Sequence, residues 1–158
     1  MIDQKTDAAP PRALDPSRVE PVFGSSYPEH LRGAVAGRAR RRLGDALGLS
    51  GFGVNLTRLE PGAQSALRHW HTREDEFVYV VEGVLTLRTD AGDVALTAGM
   101  CAGFPAGKPD GHCLINLSDR PATYLEVGNR VDGDEAHYPE EDLWYRGKKF
   151  FHRDGRPW

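Results

Sequence analysis

Residues 69–83 read HWHTREDEFVYVVEG and join a histidine pair to a strongly β-forming run. His69 and His71 are two residues apart, so on a β-strand both imidazoles project from the same face. Glu76 follows a short polar connection and begins the apolar run of residues 77–81, and an antiparallel neighbour would bring it beside the histidine pair. Two imidazoles and one carboxylate suit a borderline divalent cation such as Fe, Mn, Zn, Ni or Co. The spacing therefore predicts one divalent metal ion at His69, His71 and Glu76.

The β-forming character extends to both sides of this segment. Short stretches rich in β-branched and aromatic residues alternate with turn residues such as Pro61-Gly62 and Ala98-Gly99. The predicted strands are 53–60, 64–71, 75–82, 84–89, 93–96, 101–104, 112–117 and 122–129. A run of about eight strands without an intervening helix predicts an all-β domain, a closed antiparallel β-barrel or a jelly roll, over residues 51–130.

The chain before this domain divides into two parts. Residues 1–22 hold four prolines among polar residues and are predicted to form a mobile arm. Residues 23–50 are expected to pack on the barrel, with one short helix after Pro28. The arginine run at 38–42 could meet a phosphate or carboxylate, but such runs are more typical of a solvated face. No aromatic residues interleave with it, which argues against nucleic-acid binding.

The last segment, residues 131–158, is too aromatic to remain free in solvent. Its large rings are Tyr138, Trp144, Tyr145, Phe150, Phe151 and Trp158. Exposed together, they would leave a large apolar patch, so we expect the segment to pack on the barrel or on a second subunit. A homodimer is the expected assembly.

Composition sets further bounds on function. The formal charge of −3 gives no general attraction to nucleic acid or to an anionic membrane, so a small-molecule partner is favoured. No stretch is apolar for the length of a bilayer, and the first residues are polar, so we expect a soluble cytoplasmic protein. Two cysteines, Cys101 and Cys113, are too few for a disulfide framework and are expected to be reduced.

Two groups of residues together resemble the signature motifs of the cupin superfamily. Gly62, His69, His71, Glu76 and Gly83 are similar to the first motif, a glycine followed by H-x-H, four residues, a glutamate, six residues and a glycine. Gly99, Pro105, Gly107, His112 and Asn116 are similar to the second motif. The resemblance covers about residues 52–130 and implies a small single-domain cupin, a monocupin, that binds a metal ion.

The resemblance also implies a fourth metal ligand from the second motif. The connection between Gly107 and His112 is longer than the family pattern, so an ungapped count would place Asp110 at the ligand position. The spacing from His112 to Asn116 matches the motif and favours His112, with Asp110 as the alternative. Three histidines and one carboxylate would leave a position open for water or substrate, as a catalytic metal requires.

Four other residues are candidates for the ligand pocket. Asn116 shares the strand face of His112, although stabilising a turn is an equal alternative. Tyr79 and Tyr124, with Glu126, could support the ligands or transfer protons, whereas Phe104 is expected mainly to fill the barrel.

By family resemblance, the first functional hypothesis is a metal-dependent enzyme acting on a small sugar or oxygenated organic acid. The reaction classes that remain open are isomerase, dioxygenase, lyase and hydrolase, with a sugar-phosphate isomerase or a dioxygenase as the leading forms. The alternative is a non-catalytic cupin that binds or senses a small sugar or effector. No catalytic residue is assigned at this point.

Overall fold

The computed structural model describes residues 9–158, and within that range most of the regular structure consists of short antiparallel strands. These are β1 (Val22–Phe23), β2 (Arg38–Arg42), β3 (Phe52–Leu59), β4 (Trp70–His71), β5 (Glu76–Glu82), β6 (Val84–Thr89), β7 (Gly92–Thr97), β8 (Cys101–Phe104), β9 (Cys113–Ile115), β10 (Ala122–Asn129), β11 (Glu135–Tyr138), β12 (Leu143–Arg146) and β13 (Lys149–Phe151). The helical turns are two 3-10 helices (Pro16–Arg18 and Glu29–Val35) and α1 (Leu43–Ala46). None of these described helices could span a membrane.

The strands form two facing layers. One layer is a six-stranded sheet in the order β1-β2-β3-β10-β5-β8. The other combines the sheets β13-β12-β11-β4 and β7-β6-β9, which are linked where Gln64 bridges Ile115 and His69 bridges His112. Every strand pairing is antiparallel. The all-β class, an antiparallel β-barrel of the jelly-roll kind, is confirmed.

The main hydrophobic core lies between these two layers. Val78, Val80 and Tyr124 contribute from the six-stranded sheet, and they face Leu85 and Leu114 from the opposite layer. Alternation along β5 explains the arrangement, because residues 78 and 80 are buried while residues 77, 79 and 81 are exposed. The inner faces that form this core also carry the polar side chains of the candidate site.

Gly83 makes the tight turn between β5 and β6. Its φ of +81° lies in the left-handed region, and a Cβ there would stand only 2.8 Å from the Cβ of Ala122. Both the backbone conformation and the close approach require glycine at this position. The turn fixes where β5 ends and thus the register of the strand that carries Glu76.

The region before the barrel differs from the expected single helix. Residues 29–35 form a 3-10 helix with Val35 fully buried, but Gly37 has a φ of +80° and the chain then continues as β2. The arginine run is therefore a strand, with Arg38 and Arg40 on its inner face and Arg41 on its outer face. The expectation of a solvated arginine face is wrong for Arg38, which is only 7% exposed.

The C-terminal segment packs against its own chain. β11 pairs with β4, and Ala136, Tyr138 and Leu143 join Tyr27 and Leu67 in a second buried cluster. The sequence gives no strand signal that we recognised for β11, β12 and β13. Of the expected mobile arm, residues 1–8 lie outside the described part of the chain, so the division into arm, extensions and barrel stays a prediction.

Candidate metal centre

Three histidines and one glutamate converge between the two layers. His69 and His112 form an isolated bridge in one layer, where His71 follows on β4. Glu76 begins β5 in the opposite layer, between Gly128 of β10 and Phe104 of β8. The expectation that the histidine segment and β5 pair as neighbouring strands is wrong, because β4 pairs with β11 instead. The groups meet because both strands present them to the interior.

The ring nitrogens approach a single carboxylate oxygen. Glu76 Oε2 lies 2.8 Å from His112 Nε2, 3.6 Å from His69 Nε2 and 3.7 Å from His71 Nε2. The ligand atoms of His69, His71 and Glu76 all lie within 4.8 Å of one another. These separations are compatible with one ion shared by His69, His71 and Glu76, and His112 joins the group through its contact with the same carboxylate oxygen.

In two of the three histidines, His69 and His71, the opposite ring nitrogen is held by a hydrogen bond, whereas Nδ1 of His112 is buried without a partner among the described residues. His69 Nδ1 donates to the Leu67 carbonyl at 2.8 Å, and since a carbonyl can only accept, the proton resides on Nδ1. His71 Nδ1 donates to Asp134 Oδ2 at 2.6 Å. Asp134 is itself oriented by the backbone N–H groups of Arg73 and Glu74. In their neutral form, the His69 and His71 rings direct Nε2 lone pairs toward Glu76, as metal-bound histidines require.

The chemistry of this donor set fits a divalent cation. Glu76 Oε2 is buried, and no directed hydrogen bond reaches it from residues 9–158. Lone pairs of imidazole and carboxylate face one another there, which is unfavourable unless a proton or a metal ion lies between them. Three nitrogens and one carboxylate oxygen are ligands that Zn, Fe, Mn, Ni or Co accept together.

Electrostatics within the cluster favour opposite charges on its members. Burial by itself would raise the pKa of the Glu76 carboxyl, but the His112 and His69 rings hold that pKa well below its ordinary value. Burial by itself would lower the pKa of His69, but Glu76 raises it. The pKa of His112 is lowered, chiefly by burial. The carboxylate is therefore ionised and ready to act as a ligand.

His112 and Asp110 occupy different positions. The His112 ring is buried and stacks on Phe104 with ring centroids 3.5 Å apart. Asp110 is exposed, and its Oδ1 accepts a hydrogen bond from the Asp90 N–H. Asp110 reaches a small cavity of about 70 Å³ that His71 also lines, but its side chain is not part of the converging cluster. The geometry supports His112 as the fourth ligand.

A cavity of about 540 Å³ opens beside the cluster, and His69, Glu76 and His112 form part of its wall. This volume is within the range of roughly 300–1,000 Å³ typical of small-molecule sites. Phe104 and Tyr124 line it, as the sequence suggested. The pocket prediction does not hold for Tyr79, which is 41% exposed on the outer face of β5.

Asn116 has a structural position outside this cavity. Its side chain is fully buried and donates to the carbonyls of Leu59 and Arg120, at 2.9 and 2.7 Å. Its Oδ1 accepts hydrogen bonds from the backbone and hydroxyl of Ser118. All of its polar capacity stabilises the turn before β10, so the alternative role considered for it fits the structure.

A polar network on the six-stranded sheet lines the same cavity. Glu126 accepts hydrogen bonds from Asn55 at 2.9 Å and from the Tyr124 hydroxyl at 3.1 Å. Arg40 Nε lies 2.8 Å from Glu126 Oε1 as an ion pair, although its N–H is not aligned for a hydrogen bond. Burial, and then the charge of Glu126, raises the pKa of Tyr124 well above its ordinary value. Asn55 was not predicted as a site residue, and Arg40 belongs to the run that was considered more typical of a solvated face. Alternation along β2 and β3 places both side chains inside.

The fold and this centre define a small β-barrel protein with a three-imidazole, one-carboxylate site. A model of the cupin domain family matches residues 55–128. A structure from Silicibacter pomeroyi DSS-3, named a sugar phosphate isomerase from the cupin superfamily, is 48% identical with a TM-score of 0.88, and the match covers 92% of this chain and 96% of that one. This chain therefore belongs to the cupin superfamily.

Two further structures extend the comparison. One from Acidithiobacillus ferrooxidans ATCC 23270, provisionally named a sugar phosphate isomerase, is 32% identical with a TM-score of 0.67 over 72% of this chain and 74% of that one. A Thermotoga maritima protein predicted to be an oxalate decarboxylase is 21% identical with a TM-score of 0.62, and the match covers 75% of this chain and 99% of that one. At this identity the likeness shows only that the two proteins share a fold. Among curated proteins, no significant match was found.

Proposed function

We propose that this protein is a metal-dependent isomerase that acts on a small phosphorylated sugar. The observation that supports the proposal is the shared cavity of about 540 Å³, which is lined both by His69, Glu76 and His112 and by the Tyr124–Glu126 pair, a pair suited to proton transfer. The relative from Silicibacter pomeroyi, named a sugar phosphate isomerase, and the one from Acidithiobacillus ferrooxidans, provisionally so named, support the substrate class.

His69, His71, Glu76 and His112 would hold the metal ion. When bound, a divalent ion supplies a Lewis acid that polarises a carbonyl or hydroxyl oxygen of the substrate and makes the neighbouring C–H more acidic. The protein contributes a fixed orientation of His69 and His71, through Leu67 and Asp134. The metal's identity stays open among Fe, Mn, Zn, Ni and Co.

Isomerisation of an aldose to a ketose moves a proton between adjacent carbons, so it needs an acid–base group in the cavity. Glu126 is proposed as the base. Its ladder partner on β5 is Val78, and Glu76 is the next inward residue on that strand, so Glu126 and Glu76 are diagonal neighbours across the two strands. Tyr124 keeps its phenolic proton because its pKa is raised, and it donates to Glu126 Oε2.

The test is turnover of a panel of aldose phosphates by protein purified without chelator. We expect ketose phosphate to form, to stop after chelation and to return on adding back the metal. Glu126→Gln should lower kcat by roughly 10²-fold or more while metal content is unchanged. Glu82→Gln, at the exposed end of β5, is the matched control and should leave kcat unchanged.

Two outcomes would replace the proposal. Absence of turnover, combined with a sugar-induced rise in Tm, would favour the alternative of a non-catalytic sensing cupin. Oxygen consumption with an iron-loaded protein would favour a dioxygenase.

The homodimer and the cytoplasmic location remain predictions. Support for the homodimer comes from the outer face of β5, where Phe77, Tyr79 and Val81 are 41–50% exposed and make an apolar stripe. Light scattering at micromolar concentration tests the assembly, and cell fractionation tests the location.

A further inference from the structure

Arg38 carries a buried charge without a carboxylate partner. The residue is 7% exposed, and its guanidinium donates to two backbone carbonyls, those of Ser65 and Gly24. Its Nε is buried without a hydrogen-bond partner, and no ion pair to it is formed within residues 9–158. A buried cation is costly unless an anion compensates it, so this arrangement is incomplete as it stands.

Arg40 presents a second guanidinium to the same space. It lies two residues along β2 from Arg38, so both side chains leave the same inner face of the strand. Glu126 balances Arg40 through the contact at Nε, which leaves the terminal nitrogens of that guanidinium available. Among the described residues, Glu126 is thus the only carboxylate that forms an ion pair with either of these two arginines.

Both arginines line the cavity that contains His69, Glu76 and His112. Arg40 contacts Glu126, and Glu126 is the diagonal neighbour of Glu76. A continuous row of polar side chains therefore connects the candidate metal centre to Arg38 along one wall of the cavity. Gly24, Ser25 and Tyr27 close the cavity around Arg38. A ligand that reaches both regions must carry an oxygen for the metal and an anionic group for the arginines.

We propose that Arg38 and Arg40 form an anion subsite that binds the phosphate group of the substrate. The identification of this anion as a sugar ester rests on the proposed function. Two guanidinium groups present planar sets of N–H donors, and a phosphate monoester offers about two negative charges with several acceptor oxygens, so the two match in charge and in hydrogen-bonding geometry. The subsite positions the sugar so that its carbonyl end reaches the metal centre.

The test measures binding of inorganic phosphate, a phosphorylated sugar and its unphosphorylated parent to the metal-loaded protein by titration calorimetry. Glucose 6-phosphate, ribose 5-phosphate, glucose and ribose are the probes. Arg38→Gln and Arg40→Gln should each weaken binding of the phosphorylated probes by about tenfold or more and leave binding of the parent sugars unchanged. Arg41→Gln is the matched control, since Arg41 is on the outer face of the same strand.

Direct ligation of phosphate by the metal must be separated from binding at the arginines. Phosphate binding that persists in His71→Ala but weakens in Arg40→Gln supports the subsite, whereas the reverse pattern overturns it. Arg38→Lys, which retains the charge, guards against a folding defect in Arg38→Gln and should bind more tightly than the glutamine variant. If free phosphate and all sugar phosphates bind with equal affinity, the subsite recognises the phosphate ion alone, and its assignment to a sugar ester is overturned.

Failure of this inference is distinct from failure of the proposed function. Isomerase turnover with unaltered phosphate affinity in Arg38→Gln and Arg40→Gln would overturn the subsite alone. Arginine-dependent phosphate binding without turnover of any sugar would keep the subsite and overturn the isomerase.

Discussion

The imidazole wall of the cavity, formed by His69, His71 and His112, and the arginine wall, formed by Arg38 and Arg40, leave opposite kinds of atoms unsatisfied. In the imidazole wall, the Nδ1–H groups of His69 and His71 donate hydrogen bonds to Leu67 and Asp134, so the Nε2 lone pairs of both rings remain without a partner. In the arginine wall, the guanidinium of Arg38 donates hydrogen bonds to two backbone carbonyls, and other N–H groups of the same guanidinium remain without a partner. Spare acceptors call for a cation and spare donors for an anion. The two walls together therefore specify a ligand more narrowly than either does.

The largest effect should follow from removing a ligand of the imidazole wall. His71→Ala or Glu76→Gln is expected to lower metal affinity by 10²-fold or more, because outer contacts alone are worth about 10–100-fold. Elemental analysis of the purified protein measures it, and one metal per chain should fall close to none.

His137→Ala is the matched control for this loss. His137 lies on β11 between the Trp70 and Trp144 rings, away from the cluster. Equal metal loss in His137→Ala, or metal retained at full occupancy in both ligand variants, would contradict the proposed centre.

A smaller effect is expected from the residue that orients His71. Asp134→Asn keeps the side-chain shape but weakens the short contact to His71 Nδ1, so metal affinity should fall by about 10–100-fold. Competition with a calibrated chelator measures it. Asp132→Asn provides the comparison, since Arg73 contacts Asp132 through the backbone carbonyl. Identical affinities in the two variants would show that Asp134 plays no part.

The smallest effect is a pH dependence that separates the two walls. Metal binding requires neutral imidazole, and the pKa of His69 is raised above its ordinary value of 6.5, so protons compete with the metal already near neutral pH. The pKa of His112 is lowered, so its competition begins only at lower pH. Metal affinity should fall as the pH decreases from 8 to 6, by up to about tenfold in all, because His69 must release its proton before it can bind the metal. Affinity that rose on acidification would contradict this sign.

The same pH range should leave the arginine wall unchanged. Arginine stays protonated throughout it, so its affinity for an anion of constant charge, such as sulfate, should be independent of pH. Sulfate binding that followed the metal's pH profile would mean that the anion binds at the metal instead.

The imidazole wall could be predicted from the sequence, whereas the arginine wall could not. His69, His71 and Glu76 lie within eight residues and carry a spacing that points to shared chemistry, so they were identifiable at once. The prediction that the histidine segment pairs with β5 was wrong, because strand pairing depends on distant segments. β4 pairs with β11, which follows it by more than sixty residues.

The arginine wall was not recognised because its local pattern is ambiguous. Four arginines within five residues resemble a solvated surface, and only the position of β2 inside the six-stranded sheet turns alternate members inward. Asp134 gave no local signal either, because its role consists of a contact to a residue 63 positions earlier. The strands between residues 51 and 130, by contrast, follow from local composition and turn residues.

The hydrogen bond from His71 to Asp134 links the segment that matches the cupin family to a residue outside that segment. The family match ends at residue 128, yet the carboxylate that orients one of the candidate ligands lies beyond that border, on the segment leading into β11. A fragment cut at the border would keep every signature residue and lose that support. A metal ion bound at the proposed centre would therefore stabilise the docking of the C-terminal strands, and that docking would in turn strengthen metal binding.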